Sequence, residues 1–246
     1  MPKVEVSVCI ASYNGLPYIT EQVDSILAQL PSNSELIISD DGSSDGTLEY
    51  LKVLKEQDVR VKILEGPKRG IAHNFENALS QCRGELIFLS DQDDIWYPNR
   101  IEKAVQLHKD YDLVVVNADV IDSNGSKVGT TVYSEQDQFR STFRILIKNQ
   151  FVGCLMSFRR NLLISALPFP KKTPMHDWWL GILGKYKFTC YRDNSTVIGY
   201  RRHGSNFSDT LGKSRYTLKQ KLIFRIILLI GLIKWKLIQV FCSTRT

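Results

Sequence analysis

The chain has 246 residues, of which 43% are hydrophobic and 24% charged; it is long enough for one α/β domain and too apolar to be disordered as a whole. Its formal charge of +6 is uneven, with ten Lys/Arg from Arg201 onward against the single acid Asp209, so residues 1–200 are net acidic. That distribution excludes a general nucleic-acid binder and favours a basic tail that meets an anionic surface such as lipid, while the five scattered cysteines (Cys9, Cys82, Cys154, Cys190, Cys242), with no C-x-x-C spacing, speak against a disulfide framework or zinc site and for a reducing compartment.

Val4 to Ile10 is rich in Val and Ile and predicts a buried strand, with no charged-then-apolar leader before it. Asn14-Gly15 turns the chain, and Leu16 to Leu30 follows with helical spacing, Ile19, Val23, Ile26, Leu27 and Leu30 on one face. Glu35 to Ser39 predicts a second strand. It runs into the turn-forming segment Asp40-Asp41-Gly42-Ser43-Ser44-Asp45-Gly46-Thr47 and then a helix over Leu48 to Gln57. Arg60 to Leu64 reads as a strand, Gly70 to Cys82 as a helix, Glu85 to Ser90 as a fourth strand, and a helix starts near Pro98. Strands alternating with helices imply βαβ units: a Rossmann-like, mostly parallel sheet flanked by helices. Ligands of such sheets bind beyond the carboxyl ends of the strands. Three polar clusters lie at those ends, namely Ser12-Tyr13-Asn14, the Asp40 to Asp45 run and Asp91 to Asp94, so the fold should bring them to one rim.

Beyond Leu113 to Asn117 the alternation weakens. Val120 to Val128 predicts a hairpin around Asn124-Gly125, Phe139 to Lys148 a helix, Phe151 to Phe158 a strand, Asp177 to Lys185 a short helix and Val197 to Tyr200 a late strand. There is no internal repeat or low-complexity linker, which gives one catalytic domain over 1–212 and a basic helical tail over 213–246.

Asp91-Gln92-Asp93-Asp94 sets three carboxylates within four residues just past a buried strand. Such charges repel unless a cation sits among them, and Mg²⁺ or Mn²⁺ prefers oxygen ligands together with substrate phosphate. A metal there could neutralise a departing diphosphate. The bland reading is a solvated acidic loop or acids at a helix N-terminus.

These segments resemble a family 2 glycosyltransferase of the GT-A fold. The residues that carry the resemblance are Val8-Cys9-Ile10-Ala11-Ser12-Tyr13-Asn14, Ser39-Asp40-Asp41-Gly42-Ser43-Ser44-Asp45-Gly46-Thr47 and Leu89-Ser90-Asp91-Gln92-Asp93-Asp94. It spans about the first 210 residues and is densest before Pro98. It implies that Ala11, Ser12, Tyr13 and Asn14 line a nucleotide pocket, and that Asp41, or its neighbour Asp40, accepts from the imide of uracil or thymine. It further implies that Asn74 belongs to that pocket, that Asp91 lies near the ribose or donor sugar, that Asp93 is nearest the metal, and that Asp94 contacts the sugar. Lys68-Arg69-Gly70 offers cations to the base or diphosphate, or simply a solvated loop.

Inverting transfer is a single displacement in which a base takes the acceptor's proton. The family often carries that carboxylate in a Glu-Asp pair at a helix start. Here the matching place reads Met175-His176-Asp177-Trp178-Trp179, which makes Asp177 the candidate base, or otherwise an N-cap, and the two Trp a wall for a sugar ring or helix packing. His203, in Tyr200-Arg201-Arg202-His203-Gly204-Ser205-Asn206, is a candidate for the metal or diphosphate; Arg201 and Arg202 are candidates for phosphates, and Gly204 onward for a lid.

Leu222 to Phe241 is about long enough to span a bilayer, but Arg225, Lys234 and Lys236 interrupt it. An amphipathic, interfacial helix with Trp235 at the headgroups is favoured over a tilted span or a helix packed on the body. The expectation is therefore an inverting, metal-dependent (Mg²⁺ or Mn²⁺) hexosyltransferase of bacterial surface polysaccharide synthesis. Its partners would be a dTDP- or UDP-linked sugar, rhamnose or a hexose by resemblance, a saccharide or lipid-linked acceptor, and the inner face of the cell membrane, from the cytoplasm; a homo-oligomer is left open. The alternative is an inactive sugar-nucleotide-binding or scaffold protein. An Asp-x-Asp phosphatase would need its motif after the first strand, and a nucleotidylyltransferase a Gly-rich basic loop where Ser12-Tyr13-Asn14 stands.

Overall fold

The computed structural model describes residues 5–134, 139, 141–203 and 216–243, with backbone alone for 240–243. Its first half follows the alternation: β1 (Val6–Ser12), α1 (Tyr18–Leu27), β2 (Glu35–Asp40), α2 (Thr47–Gln57), β3 (Val61–Glu65), α3 (Ile71–Ser80) and β4 (Leu86–Ser90). The four strands pair in parallel in the order β3-β2-β1-β4. β2 is buried at every position, which is why its apolar residues run on without alternating: helices cover both faces of a parallel sheet. The register places Ser12 beside Asp40 and Ile10 beside Ser90, so the chain leaves all three strands at one edge.

The second half builds the same sheet differently. After β5 (Ile95–Trp96) and α4 (Arg100–Leu107) come β6 (Leu113–Ile121), β7 (Lys127–Thr131), α5 (Thr142–Ile147), β8 (Met156–Arg159), α6 (Arg160–Ala166), α7 (His176–Lys187) and β9 (Cys190–Arg201). The full order is β3-β2-β1-β4-β8-β6-β9-β5, with β7 on β6. β8 runs antiparallel to both neighbours, and β6 is parallel to β9. The sheet is thus mixed, parallel only through its first half and across β6 and β9.

The expected hairpin forms at Asp122–Ser126, where the Asp122 carboxylate accepts from the N–H groups of Asn124 and Ser126. Its first arm is the continuous nine-residue β6. The strand expected over Phe151 to Phe158 shrinks to β8, because Gly153–Leu155 forms a 3₁₀ turn. A Cβ on Gly153 would come within 2.6 Å of His176 Nε2, so the backbone there presses against α7 rather than running in the sheet. α6, β5 and most of β9 have no counterpart among the expected elements.

α8 (Leu218–Ser243) is one helix of 26 residues. No helix among the described residues is long and apolar enough to cross a membrane, which sets aside the tilted span. One face of α8 packs on the body. Leu228 is fully buried, Gly231 lies against Pro170 and Trp179, and Trp235 Nε1 donates to the Ser165 carbonyl at 2.8 Å. Trp235 therefore anchors the helix to the protein and does not face headgroups. The 212/213 boundary and the Gly204–Asn206 lid fall outside the described residues.

Candidate active site

The first two polar clusters interlock. Asp40 is 1% exposed and its carboxylate is taken up by its own loop. Oδ1 accepts from the N–H groups of Gly42 and Ser43, and Oδ2 from the hydroxyls of Ser12 at 2.6 Å and Ser43 at 2.7 Å. Four donors leave Asp40 no capacity for a base, so it shapes the loop. The backbone N–H of Asp41 donates to Ser12 O at 2.9 Å, and its Oδ1 accepts from Lys68 N–H at 2.9 Å. Asn74 donates to Ser12 O at 3.2 Å, while its buried Oδ1 has no partner among the described residues. Gly66 is obligatory beside them, since a Cβ would lie 2.4 Å from Asp41 Oδ1. A cleft of about 250 Å³ opens here, lined by Asp40, Gly42, Leu48, Ile63, Leu64, Glu65 and Lys68.

Tyr13 is 59% exposed, on the rim rather than packed. Its backbone is held from both sides by one side chain: Gln92 Oε1 accepts from Tyr13 N–H at 2.9 Å, and Gln92 Nε2 donates to Tyr13 O at 3.1 Å. Asn14 takes a positive φ of 48°, a conformation Asn tolerates, and its Oδ1 accepts from Ser44 N–H. Asp45 accepts from Leu16 and Thr47 N–H, the turn and helix-start chemistry expected of it. Ala11, half-buried, lies opposite Ser39 within the strand pair.

The acidic run is bound to the end of β9. Arg201 is 1% exposed; its guanidinium donates to Asp93 O at 2.7 Å, Ser123 O at 2.9 Å and the Glu21 carboxylate at 2.5 Å, and lies over the Tyr18 ring. It is thereby committed to holding the acidic loop, and the phosphate contact expected of Arg201 is replaced by this internal role. Arg202 keeps a buried Nη1 that has no partner among the described residues. Asp94, also 1% exposed, accepts the Arg201 backbone N–H at 3.0 Å. Its place is inward, beside the Cys154 thiol and Asp91, with one donor atom of each of the three within 4.8 Å of the others. Asp94 therefore secures β9 through Oδ1. His203 Nε2 meets Asp93 Oδ2 at 2.8 Å, its ring 4.6 Å from that of Tyr18.

Asp177 lies in the first turn of α7, and Met175, not Asp177, is the N-cap. It is 5% exposed, and its Oδ1 accepts from Trp178 N–H at 2.6 Å. Burial pushes its carboxyl up to about 7, against hydrogen bonds from the Trp178 backbone, Asn149 and the Gly153 backbone. Asp91 is likewise raised to about 7, by burial first and then by the charges of Asp93 and Asp177. Asp94 is also raised well above the ordinary carboxylate range, by burial first and then by Asp93 and Asp91. His176 stacks on Phe75 at 3.9 Å with both ring nitrogens unpartnered, and burial lowers it to about 3, so it is neutral. Trp178 and Trp179 donate to Ile145 O and Ala166 O; they pack the helix rather than offering a sugar wall.

The clusters thus meet: the first and third through Gln92, the first and second through Asp40, the third and β9 through Arg201 and His203, and Asp177 through its field at Asp91. Gln92, Cys154, Gly153 and Glu21 were not among the expected site residues. Gln92 alone had a signal, as the uncharged member of an acidic run.

The profile described as glycosyl transferase family 2 matches residues 7–165. Over 208 residues, covering 82% of this chain and 79% of the relative, the chain is 33% identical to the UDP-Glc:alpha-D-GlcNAc-diphosphoundecaprenol beta-1,3-glucosyltransferase WfgD of Escherichia coli. It is 28% identical over 214 residues, 80% of this chain and 72% of the relative, to the dTDP-rhamnosyl transferase RfbG of Shigella flexneri. Its fold is that of S. aureus TarS 1–349 in complex with UDP-GlcNAc, with a TM-score of 0.70 at 17% identity over 94% of this chain and 67% of that one. With its three strand-end motifs gathered at one edge of a GT-A sheet, the chain belongs to glycosyl transferase family 2.

Proposed function

We propose that this glycosyltransferase is inverting and metal-dependent, and that it moves a sugar from a UDP- or dTDP-linked donor to a hydroxyl of a saccharide or lipid-linked acceptor. The observation that carries this reading is geometric: donor atoms of Asp91, Asp94 and Cys154 lie within 4.8 Å of one another, and Gly153, the residue before Cys154, abuts Asp177 of α7, where an added Cβ would lie 3.6 Å from the Asp177 Cβ. The acidic loop and the candidate base are thus joined through one turn. A protein that only bound or scaffolded would have no use for keeping Asp177 buried and raised at a stability cost.

The residues fit a divalent cation. Asp91 and Asp93 supply oxygen, and His203 supplies an imidazole already in contact with Asp93. Burial first, and then repulsion between neighbouring carboxylates, raises Asp91 and Asp94, and a cation relieves the second of these. When bound, the ion would neutralise charge on the departing diphosphate. The chain's own residues do the rest. Asp41 and Asn74, beside the cleft at Gly42 and Lys68, hold the base. The loop of Tyr13 and Asn14 closes over the nucleotide, and Arg202, with its unpartnered nitrogen, faces phosphate. Asp177 takes the proton from the acceptor hydroxyl as its oxygen bonds to the anomeric carbon and the bond to diphosphate breaks, which inverts that centre. The names of the relatives support both donor nucleotides and, for one of them, an acceptor carried on a lipid diphosphate; a polysaccharide-building role on the cytoplasmic side of the cell membrane is part of the same proposal.

Asp177→Asn tests the assignment. Isothermal titration with UDP-glucose and dTDP-rhamnose, each with Mn²⁺ or Mg²⁺, should show donor binding unchanged while transfer falls by about 10²–10⁴-fold. Loss of binding together with transfer would make Asp177 structural.

A further inference from the structure

α8 has two apolar faces, and among the described residues only one of them is packed. Phe224, Leu228, Leu232 and Trp235 pack against the body. On the opposite side, Leu218, Leu222, Ile226, Leu229, Ile233 and Leu237 are 43–83% exposed. At about 100° per residue these follow one another at steps of three or four and form a continuous stripe. Ile223, Ile230 and Ile238, also exposed, widen it. A contiguous stripe of this size is more than a soluble surface ordinarily leaves bare.

Charge says what covers it. The helix from Leu218 to Ser243 contains no Asp or Glu and five cations: Lys219, Lys221, Arg225, Lys234 and Lys236. By the same helical count, Arg225 and Lys236 edge the stripe on one side and Lys234 on the other, while Lys219 stands in it at its first turn. Two copies docked stripe to stripe would bring these cations together with no acid on either helix to answer them. An anionic lipid leaflet supplies both an apolar layer and phosphate for the flanks.

We infer that α8 lies on an anionic bilayer surface by this outer face while its inner face stays seated on the catalytic body. This rests on the membrane-side placement proposed above and specifies it. The body contacts of α8 fall on Trp179 of α7, on α6 through Ser165, and on Ile147 at the end of α5, where Arg225 donates to the carbonyl at 3.0 Å. Trp179 is two residues from Asp177. The docking helix thus rests on the helix that carries the candidate base, and sets that half of the molecule next to the leaflet where a lipid-linked acceptor is held.

The test is flotation of the full chain with vesicles of phosphatidylcholine alone or mixed with phosphatidylglycerol, a readout that needs no sugar transfer. The chain should float with the mixed vesicles and much less with the neutral ones. Ile226→Asn/Ile230→Asn/Ile233→Asn, all at exposed positions, should lower the bound-to-free ratio by about tenfold or more with the thermal transition kept. Lys234→Glu/Lys236→Glu should do the same on mixed vesicles only, as should high salt. Equal flotation of the wild type and the triple variant, or none with either vesicle, overturns the assignment. So does a concentration-dependent dimer in light scattering that the triple variant abolishes while no chain floats. Transfer to a soluble acceptor by the triple variant stays within about twofold of wild type in the absence of vesicles, so a failed flotation and a failed transferase reading remain distinguishable.

Discussion

The two halves of this sheet are built by opposite rules. From β1 to β4 each strand pairs in parallel within a run of βαβ units, and each strand's end delivers a polar loop. From β5 to β9 the strands interleave: β8 enters antiparallel between β4 and β6, and β9 crosses to pair with both β6 and the two-residue β5. The first half presents loops that are internally hydrogen-bonded, as Asp40 shows with its four donors. The second half presents buried, electrostatically unsettled groups: Asp177, the unpartnered His176 and the Cys154 thiol beside Asp94. The first half is a preformed binding edge that ends in the raised carboxyls of Asp91 and Asp94, and the second brings further perturbed groups against them.

If that division is right, substitutions in the two halves should fail differently. Asp93 joins them, touching His203 through its side chain and Arg201 through its carbonyl. Asp93→Ala should therefore cost most, about 10³-fold in transfer, together with the metal dependence of donor binding measured by titration with and without Mn²⁺. Full activity would mean that Asp93 does not join the two halves. Gly153→Ala comes next. The new Cβ would sit 2.6 Å from His176 Nε2 and 3.6 Å from Asp177 Cβ, and His176 cannot retreat because Phe75 is stacked on it. Displacing Asp177 should lower kcat by about 10²-fold with donor affinity unchanged. Gly153→Ala with His176→Ser should recover part of that loss, which a general folding defect would not.

The same division explains what could be read in the chain. Each motif of the first half is local: a run such as Val8 to Asn14 carries its strand, turn and ligand loop together, so βαβ order alone placed Ser12, Asp41 and Asp93 at one edge. The second half depends on pairings between distant segments. That Gly153 breaks a strand follows from His176 on another element, and that β9 runs over twelve residues follows from its pairing with β6, neither being encoded in the apolar pattern of the segment itself. Arg201 misled for the same reason. An arginine near a histidine suggests a ligand contact, and only the fold shows it bonded to Asp93, Ser123 and Glu21.

The raised carboxyl of Asp177 gives a smaller effect with two opposite signs. Only the carboxylate can accept a proton, so kcat/KM should rise about tenfold per pH unit up to about 7 and level off above it. Stability runs the other way. The folded state holds a proton at Asp177 between its unfolded value near 4 and about 7, so this group's contribution declines as pH rises across that window. Asp177→Asn should therefore melt higher than wild type at pH 8 while losing transfer. An unchanged melting temperature would mean that Asp177 is solvated, and the contrast between the halves would weaken.

The smallest effect concerns Gln92, which belongs to the acidic loop but serves the first half. Its amide satisfies both backbone groups of Tyr13, and it packs where a Cβ on Gly15 would meet it at 2.9 Å. Removing it leaves every carboxylate in place and frees only the Tyr13–Asn14 turn. Two partly exposed hydrogen bonds are worth roughly 1–2 kcal/mol together, and the turn is held elsewhere by Asn14 and Ser43. Gln92→Ala should thus raise the donor Kd by about fivefold in calorimetry and leave kcat within about twofold. A large fall in kcat instead would mean that the nucleotide loop also positions the reacting carbon, and that binding and chemistry are not divided between the two halves.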